Sequence, residues 1–172
     1  MNQRNIQGAE YKAVDGYKGS DYRAMNLALR TATPMDATNF NLCEGMDTAS
    51  KAATFPEDVV MYRGVKDYKE MKIDNPATMG KTTPGYVDNG FMSASFSKRF
   101  AADWASGETH QVMLELKVKA GTKGVHIGQV RGYSDSEQEV VFPRGTFWKV
   151  VGFRNEKIGS DNYPILTMET LK

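Results

Sequence analysis

The order in which secondary-structure signals follow one another most constrains what this chain can fold into. Helical periodicity is concentrated in the first third, and strand-like runs crowd the remainder. Ser20 and Asp21 are good N-cap residues, and Tyr22, Met25 and Leu29 follow at spacings of three and four, which predicts a helix ending near Thr33 and Pro34. A second helix is predicted over Glu44–Ala53 and a short one over Lys98–Ala105. β-Branched and aromatic residues predict strands at Val59–Tyr62, Phe91–Ser97, Gln111–Val118, Val125–Ile127, Glu137–Phe142, Thr146–Phe153 and Ile165–Met168. The Gly/Pro/Thr/Asp-rich stretch Asn75–Asn89 reads as loop. Helices first and strands afterwards imply an α+β architecture, with N-terminal helices packed on a mostly antiparallel β-core.

A chain of 172 residues is expected to form one domain over 1–172, and at that length it needs no covalent staple. Cys43 is the sole cysteine, so an intramolecular disulfide is excluded and a reducing, cytoplasmic setting is expected. His110 and His126 lie sixteen positions apart without cysteine neighbours at ligand spacing, so no metal is expected. With 22 basic against 21 acidic side chains, non-specific nucleic-acid binding is not expected as the main task. The N-terminal residues 1–13 are polar, with no signal-peptide pattern, and no apolar run is long enough to span a bilayer.

Gly80-Lys81-Thr82 invites a P-loop reading, but that pattern requires glycine where Asn75 stands, so the cradle of glycine amides is missing. Three other segments carry more. Tyr62-Arg63-Gly64 ends a β-branched run. An arginine there is either a solvated cation or a bidentate anion clamp beside a backbone that a ligand can approach closely. In Gly90-Phe91-Met92-Ser93-Ala94-Ser95-Phe96-Ser97, strand alternation puts Met92, Ala94 and Phe96 on one face and the serines on the other. That row of hydroxyls is either a wet strand face or a cleft lining. Glu137 and Glu139 share a strand face, roughly 6–7 Å apart. At an effective dielectric near 20 such charges repel by about 2.5 kcal/mol, or nearly two pKa units. The pair is tolerable in water and wants cations if enclosed.

Taken in order, the aromatic-Arg-Gly strand end, the Gly-Phe-x-Ser-x-Ser strand and the Glu-x-Glu strand start resemble the Arg–Ser–Glu class of mono-ADP-ribosyltransferases. That group includes clostridial binary-toxin and exoenzyme-type enzymes. The segment from Tyr17-Lys18-Gly19-Ser20-Asp21-Tyr22 through Asn26, Leu29 and Arg30 is similar to the family's first-helix motif, and the likeness runs from about Tyr17 to Val151. Ala94 stands where the family typically has threonine.

The resemblance implies a two-sheet core with an NAD cleft, NAD as donor substrate, and transfer of ADP-ribose with release of nicotinamide. It implies that Arg63 holds the NAD phosphates and that Gly64 lets backbone groups pair with the nicotinamide carboxamide. Ser93 orients the catalytic carboxylate, Ser95 joins the residues that bind NAD, and Glu139 bonds the ribose hydroxyl and stabilises the sugar cation. Asn26 and Arg30 approach the adenosine or phosphate side, and Lys98, Arg99 and Phe100 stand where the family's phosphate–nicotinamide loop follows the serine strand. Glu137 implies arginine as acceptor, and Tyr133 in the Gly132–Ser136 loop an acceptor contact. The partners so implied are acceptor proteins, with host transcription or translation proteins in view of the small T-even-type phage enzymes. A monomer without membrane or stable nucleic-acid binding, in the cytoplasm of the producing or infected cell, is expected. NAD glycohydrolase activity and a non-catalytic binding module are the alternatives.

Overall fold

A helical block opens the computed structural model, which describes residues 2–3, 6–82, 85–128 and 138–171. The block comprises α1 (Gly8–Gly16), a π-helical turn (Tyr17–Asp21), α2 (Tyr22–Thr31) and α3 (Ala37–Ala49). The chain passes from α1 into α2 without an extended break and is kinked at Gly19 (φ −77°, ψ −114°). Asp21 is therefore not the predicted cap: its backbone is helical and its side chain makes no capping bond. The second helix starts well before Glu44, because the Asp36 carboxylate accepts the Asn39 N–H at 2.8 Å and caps it there. Helix α1 escapes sequence prediction because it fully buries only Ala13 and Val14. Small residues seat it on α3: a Cβ on Gly45 would lie 2.6 Å from the Ala13 methyl and 2.9 Å from the Ala9 carbonyl oxygen.

The strands are β1 (Asn2–Gln3), β2 (Ala53–Thr54), β3 (Val59–Val65), β4 (Gly85–Val87), β5 (Met92–Ser95), β6 (Val112–Val118), β7 (Lys123–His126), β8 (Glu139–Phe142), β9 (Phe147–Ile158) and β10 (Asp161–Thr170). Among the described residues they run β1-β2-β7-β8-β5-β3-β6-β10-β9-β4 across the sheet. Neighbours are antiparallel except β6 and β10. The middle of this order is its weakest seam: β3 and β5 share the single register pair Tyr62↔Ser95. Among the described residues, the ten strands thus form two half-sheets joined by a single residue pair.

Two predicted boundaries shift for local reasons. The stretch Asn75–Asn89, expected as loop, contains α4 (Pro76–Thr82) and β4. Asn75 Oδ1 accepts the Ala77 N–H at 2.9 Å, and Pro76 occupies the first helical position, where its missing N–H costs nothing. The serine strand ends at Ser95 rather than Ser97 because Ser97 turns outward to cap α5 (Lys98–Ala105), accepting the Phe100 N–H at 3.2 Å. Phe96 is consequently exposed, not aligned with buried Met92 and Ala94.

Burial follows the layers. Met25, Met46, Phe91 and Val141 belong to a core beneath α1–α3. Met61, Leu114, Val140, Phe142, Trp148 and Leu166 fill the space between the half-sheets. Ala101, Ala105, Met113 and Ile165 join α5 to the far face of β6 and β10. Helix α5 crosses β3 so closely that a Cβ on Gly64 would sit 2.1 Å from the Ala101 carbonyl oxygen. Gly64→Ala is expected to lower the unfolding free energy by about 1–3 kcal/mol through overpacking. A denaturation midpoint equal to the wild type would contradict this helix–strand contact.

Candidate active site

The seam between the half-sheets gathers the residues that the sequence singles out. Arg63, on β3 just past the Tyr62↔Ser95 pair, crosses to β5: its Nη1 donates to the Ser93 carbonyl oxygen at 2.7 Å and to Ser93 Oγ at 3.0 Å. Among the described residues, its Nε and Nη2 hydrogens keep no partner, so a half-buried fork of donors remains for an anion. Glu139 opens β8 directly opposite Ser95. Its carbonyl accepts the Ile127 N–H at 2.9 Å, and the preceding Gln138 lies in the left-handed region (φ 42°). The Glu139 carboxylate is one-fifth exposed, and its Oε2 accepts from Lys18 Nζ at 3.1 Å.

Beneath these charges lies a knot of neutral hydrogen bonds. Tyr17 is buried; its hydroxyl donates to the Phe91 carbonyl and accepts from Asn26 Nδ2, both at 3.2 Å. Asn26 Oδ1 accepts the Phe91 N–H at 2.7 Å, so the π-turn and α2 hold the start of β5. Burial is the main cause that pushes the Tyr17 phenol up to about 12. Arg63, the Asn26 bond and Arg30 oppose that shift, while Glu139 adds to it.

Arg30 binds Asp88 through two hydrogen bonds, Nε at 2.8 Å and Nη2 at 2.7 Å. Asp88 also accepts the Gly90 N–H at 2.8 Å. Burial works against the Arg30 charge, and the bond and charge of Asp88 more than offset it, leaving the guanidinium above its ordinary value. Burial first and then Asp88 push the Tyr86 phenol up.

The structure brings Asn26, Arg30, Arg63, Gly64, Ser93, Ser95 and Glu139 to this region, with some partnerships that differ from those the resemblance implies. Ser93 partners Arg63, and among the described residues Lys18, not Ser93, holds Glu139. Gly64 is required by the carbonyl of α5 pressed against it. Ser95 is buried, and its hydroxyl accepts the Ser97 N–H at 2.9 Å. Lys98 is paired with Glu156, and Arg99 with Asp103 within α5, so helix stands where the phosphate–nicotinamide loop is expected. Tyr133, Glu137 and the loop Gly132–Ser136 lie outside the described residues. Lys18 and Asp88 join the site without a sequence signal of their own, Lys18 inside the Tyr17–Tyr22 segment and Asp88 near the end of the Gly/Pro/Thr/Asp-rich stretch.

The sequence profile of the family described as ADP-ribosyltransferase exoenzyme matches residues 2–172. The chain belongs to this family. Plx2a, an ADP-ribosyltransferase toxin from Paenibacillus larvae, superposes with a TM-score of 0.76 at 17% identity, covering 97% of this chain and 88% of the toxin chain. The Clostridium limosum C3 exoenzyme gives 0.74 at 18% identity, over 98% and 87%. Exoenzyme S from Pseudomonas aeruginosa, in complex with human 14-3-3 protein beta and bound to carba-NAD, gives 0.71 at 19% identity, over 94% and 73%. A search of curated proteins found no match. This exoenzyme-family fold is thus the α+β, mostly antiparallel architecture that the sequence implies. Among the described residues, no helix is long and apolar enough to cross a membrane, and no group of three or more His, Cys, Asp or Glu side chains could hold a metal ion.

Tyr17→Phe is expected to cost about 1–2 kcal/mol of stability at pH 8 by removing the hydroxyl from this knot. A phenol raised on folding from 10.0 to about 12 contributes stability that is complete below pH 10 and lost as the pH climbs to about 12. The gap between wild type and variant should therefore narrow across that interval in denaturation experiments. A constant gap would mean that Tyr17 ionises as readily folded as unfolded.

Proposed function

We propose that this exoenzyme-family chain, as one catalytic domain over residues 1–172, transfers ADP-ribose from NAD to arginine side chains of acceptor proteins and releases nicotinamide. The observation that carries the reading is that β5 brings the two charges together: Arg63 from β3 is bonded to Ser93, and Glu139 from β8 lies opposite Ser95, two residues along the same strand. The residues suit NAD as donor. The free edge of the Arg63 guanidinium matches phosphate oxygens, which planar forks bind bidentately. Asn26 and Arg30 are already bonded within the protein, so they support the adenosine and phosphate side by fixing the β5 start and its approach. Gly64 offers backbone groups to the nicotinamide carboxamide, as the resemblance implies, and Ser95 backs the strand opposite Glu139.

Chemically, the ribose–nicotinamide bond breaks with positive charge growing on the sugar. A carboxylate held in advance beside that sugar lowers the barrier without reorganising during the reaction. Glu139 accepts a hydrogen bond from a ribose hydroxyl and faces the developing cation, while Ser93, whose own hydroxyl hydrogen remains to donate, steadies the anionic side of the site. Glu137 takes the acceptor guanidinium through two hydrogen bonds and removes its proton as the new carbon–nitrogen bond forms. Tyr133 contacts the acceptor surface. Host transcription or translation proteins are the acceptors this reading favours, as for small phage enzymes, and a cytoplasmic monomer suffices for it.

NAD labelled in its adenylate half, incubated with a small guanidine such as agmatine and with bacterial extract, tests the reading. Glu139→Ala should lower label transfer by at least about 10²-fold. Undiminished labelling by that variant would refute the role of Glu139. Glu137→Gln should abolish transfer to guanidine yet retain nicotinamide release into water. Equal loss of both would remove Glu137 from the acceptor side, and abundant nicotinamide without a labelled acceptor would replace transfer by hydrolysis.

A further inference from the structure

Lys18 stands between Tyr17 and Gly19 in the first-helix segment, and nothing in the reading above gives it a task. Its placement is unusual for a lysine: the side chain is 4% exposed, and its ammonium lies 3.1 Å from Oε2 of Glu139, a residue 121 positions away. A buried ammonium is costly unless paired, and lysines are rarely found there without a partner. The backbone that carries it is held on both sides. Tyr17 before it is tied to Phe91 and Asn26, and Gly19 after it makes the kink that leaves helical geometry.

The contact engages one oxygen of the carboxylate. Among the described residues, Oε1 of Glu139 has no hydrogen-bond partner, and the backbone of Glu139 is fixed by the β5 register and by the Ile127 N–H. We propose that Lys18 is a positioning residue for the transfer reaction: it holds Oε2 of Glu139, so that Oε1 is presented to the ribose hydroxyl of NAD. The proposal rests on the assignment of Glu139 made above. An ammonium suits the task because it is a compact point charge that grips a single oxygen, whereas a guanidinium fork would engage both. Arg63 faces the same region from β3, but its Nη1 is committed to Ser93, and no bond joins it to Glu139 among the described residues. The chain therefore separates two cations by role, one for the substrate's phosphates and one for the protein's own carboxylate. Ser93, which the family resemblance would place on Glu139, is released to brace Arg63.

The test is a double-mutant cycle on nicotinamide release from NAD, using the full chain. Lys18→Met should lower kcat at least about tenfold, since a misplacement of about 1 Å in an active site can cost about 10²-fold. KM for NAD should change less than about threefold on this account, because the substrate-binding cation Arg63 is untouched. Lys18→Arg should recover little of the lost rate, because its fork would take both oxygens of Glu139. In the Glu139→Ala background, Lys18→Met should change the residual rate less than about twofold. Thermal melts of all variants identify any loss through misfolding; if Lys18→Met does not fold, Lys18→Gln replaces it. A kcat for the folded variant within about twofold of wild type overturns the proposal. So does a rise in kcat, or an equal fall with and without Glu139. Absence of nicotinamide release from the wild type, or a full rate in Glu139→Ala, overturns the underlying assignment instead.

Discussion

The single residue pair that joins the two half-sheets is the constraint on which the candidate site depends. Had β3 and β5 paired along their length, the Arg63 side chain would have no gap to cross and Ser93 no cation to receive. The pair Tyr62↔Ser95 marks the last point of backbone contact. Beyond it, side chains replace the ladder, and the first of these replacements is the Arg63–Ser93 bridge. Polar chemistry thus enters between two apolar cores.

The charges at the seam are arranged so that each has a partner or an open side. Lys18 answers Glu139, Asp88 answers Arg30, and Ser93 answers part of Arg63. Neutral groups, Tyr17 and Asn26, separate these charged pairs and tie their elements together. Such an arrangement favours preorganisation over raw stability. Buried ion pairs contribute little net stabilisation, but removing one member leaves an expensive charge behind.

Much of the fold was legible along the chain, and much of the site was not, for a common reason. Helix α5 appeared at its predicted bounds because Ser97 is a local capping signal and Ala101, Ala102 and Ala105 repeat at helical spacing. The longer strands declared themselves through β-branched and aromatic runs such as Val59–Tyr62, whereas the short β1, β2 and β4 did not. Helices α1 and α4 stayed hidden because one is seated by small residues and the other is a brief turn behind Asn75 and Pro76. Arg63, Ser93 and Glu139 could be found because each sits in a local motif. Their actual partnerships could not: Lys18 is 121 positions from Glu139, and Arg30 is 58 from Asp88. No periodicity joins residues at such separations; only the folded topology does.

Strand β8 spans four residues, yet it serves three masters. Val141 packs under the helices, Val140 and Phe142 pack between the half-sheets, and Glu139 leads them into the site. The two cores therefore cannot drift apart in evolution independently. A methylene gained on the helical side presses on the same short backbone that sets the height of the carboxylate, so compensating changes should accumulate across the strand rather than along it. Glu139, in that sense, is weighed between two cores.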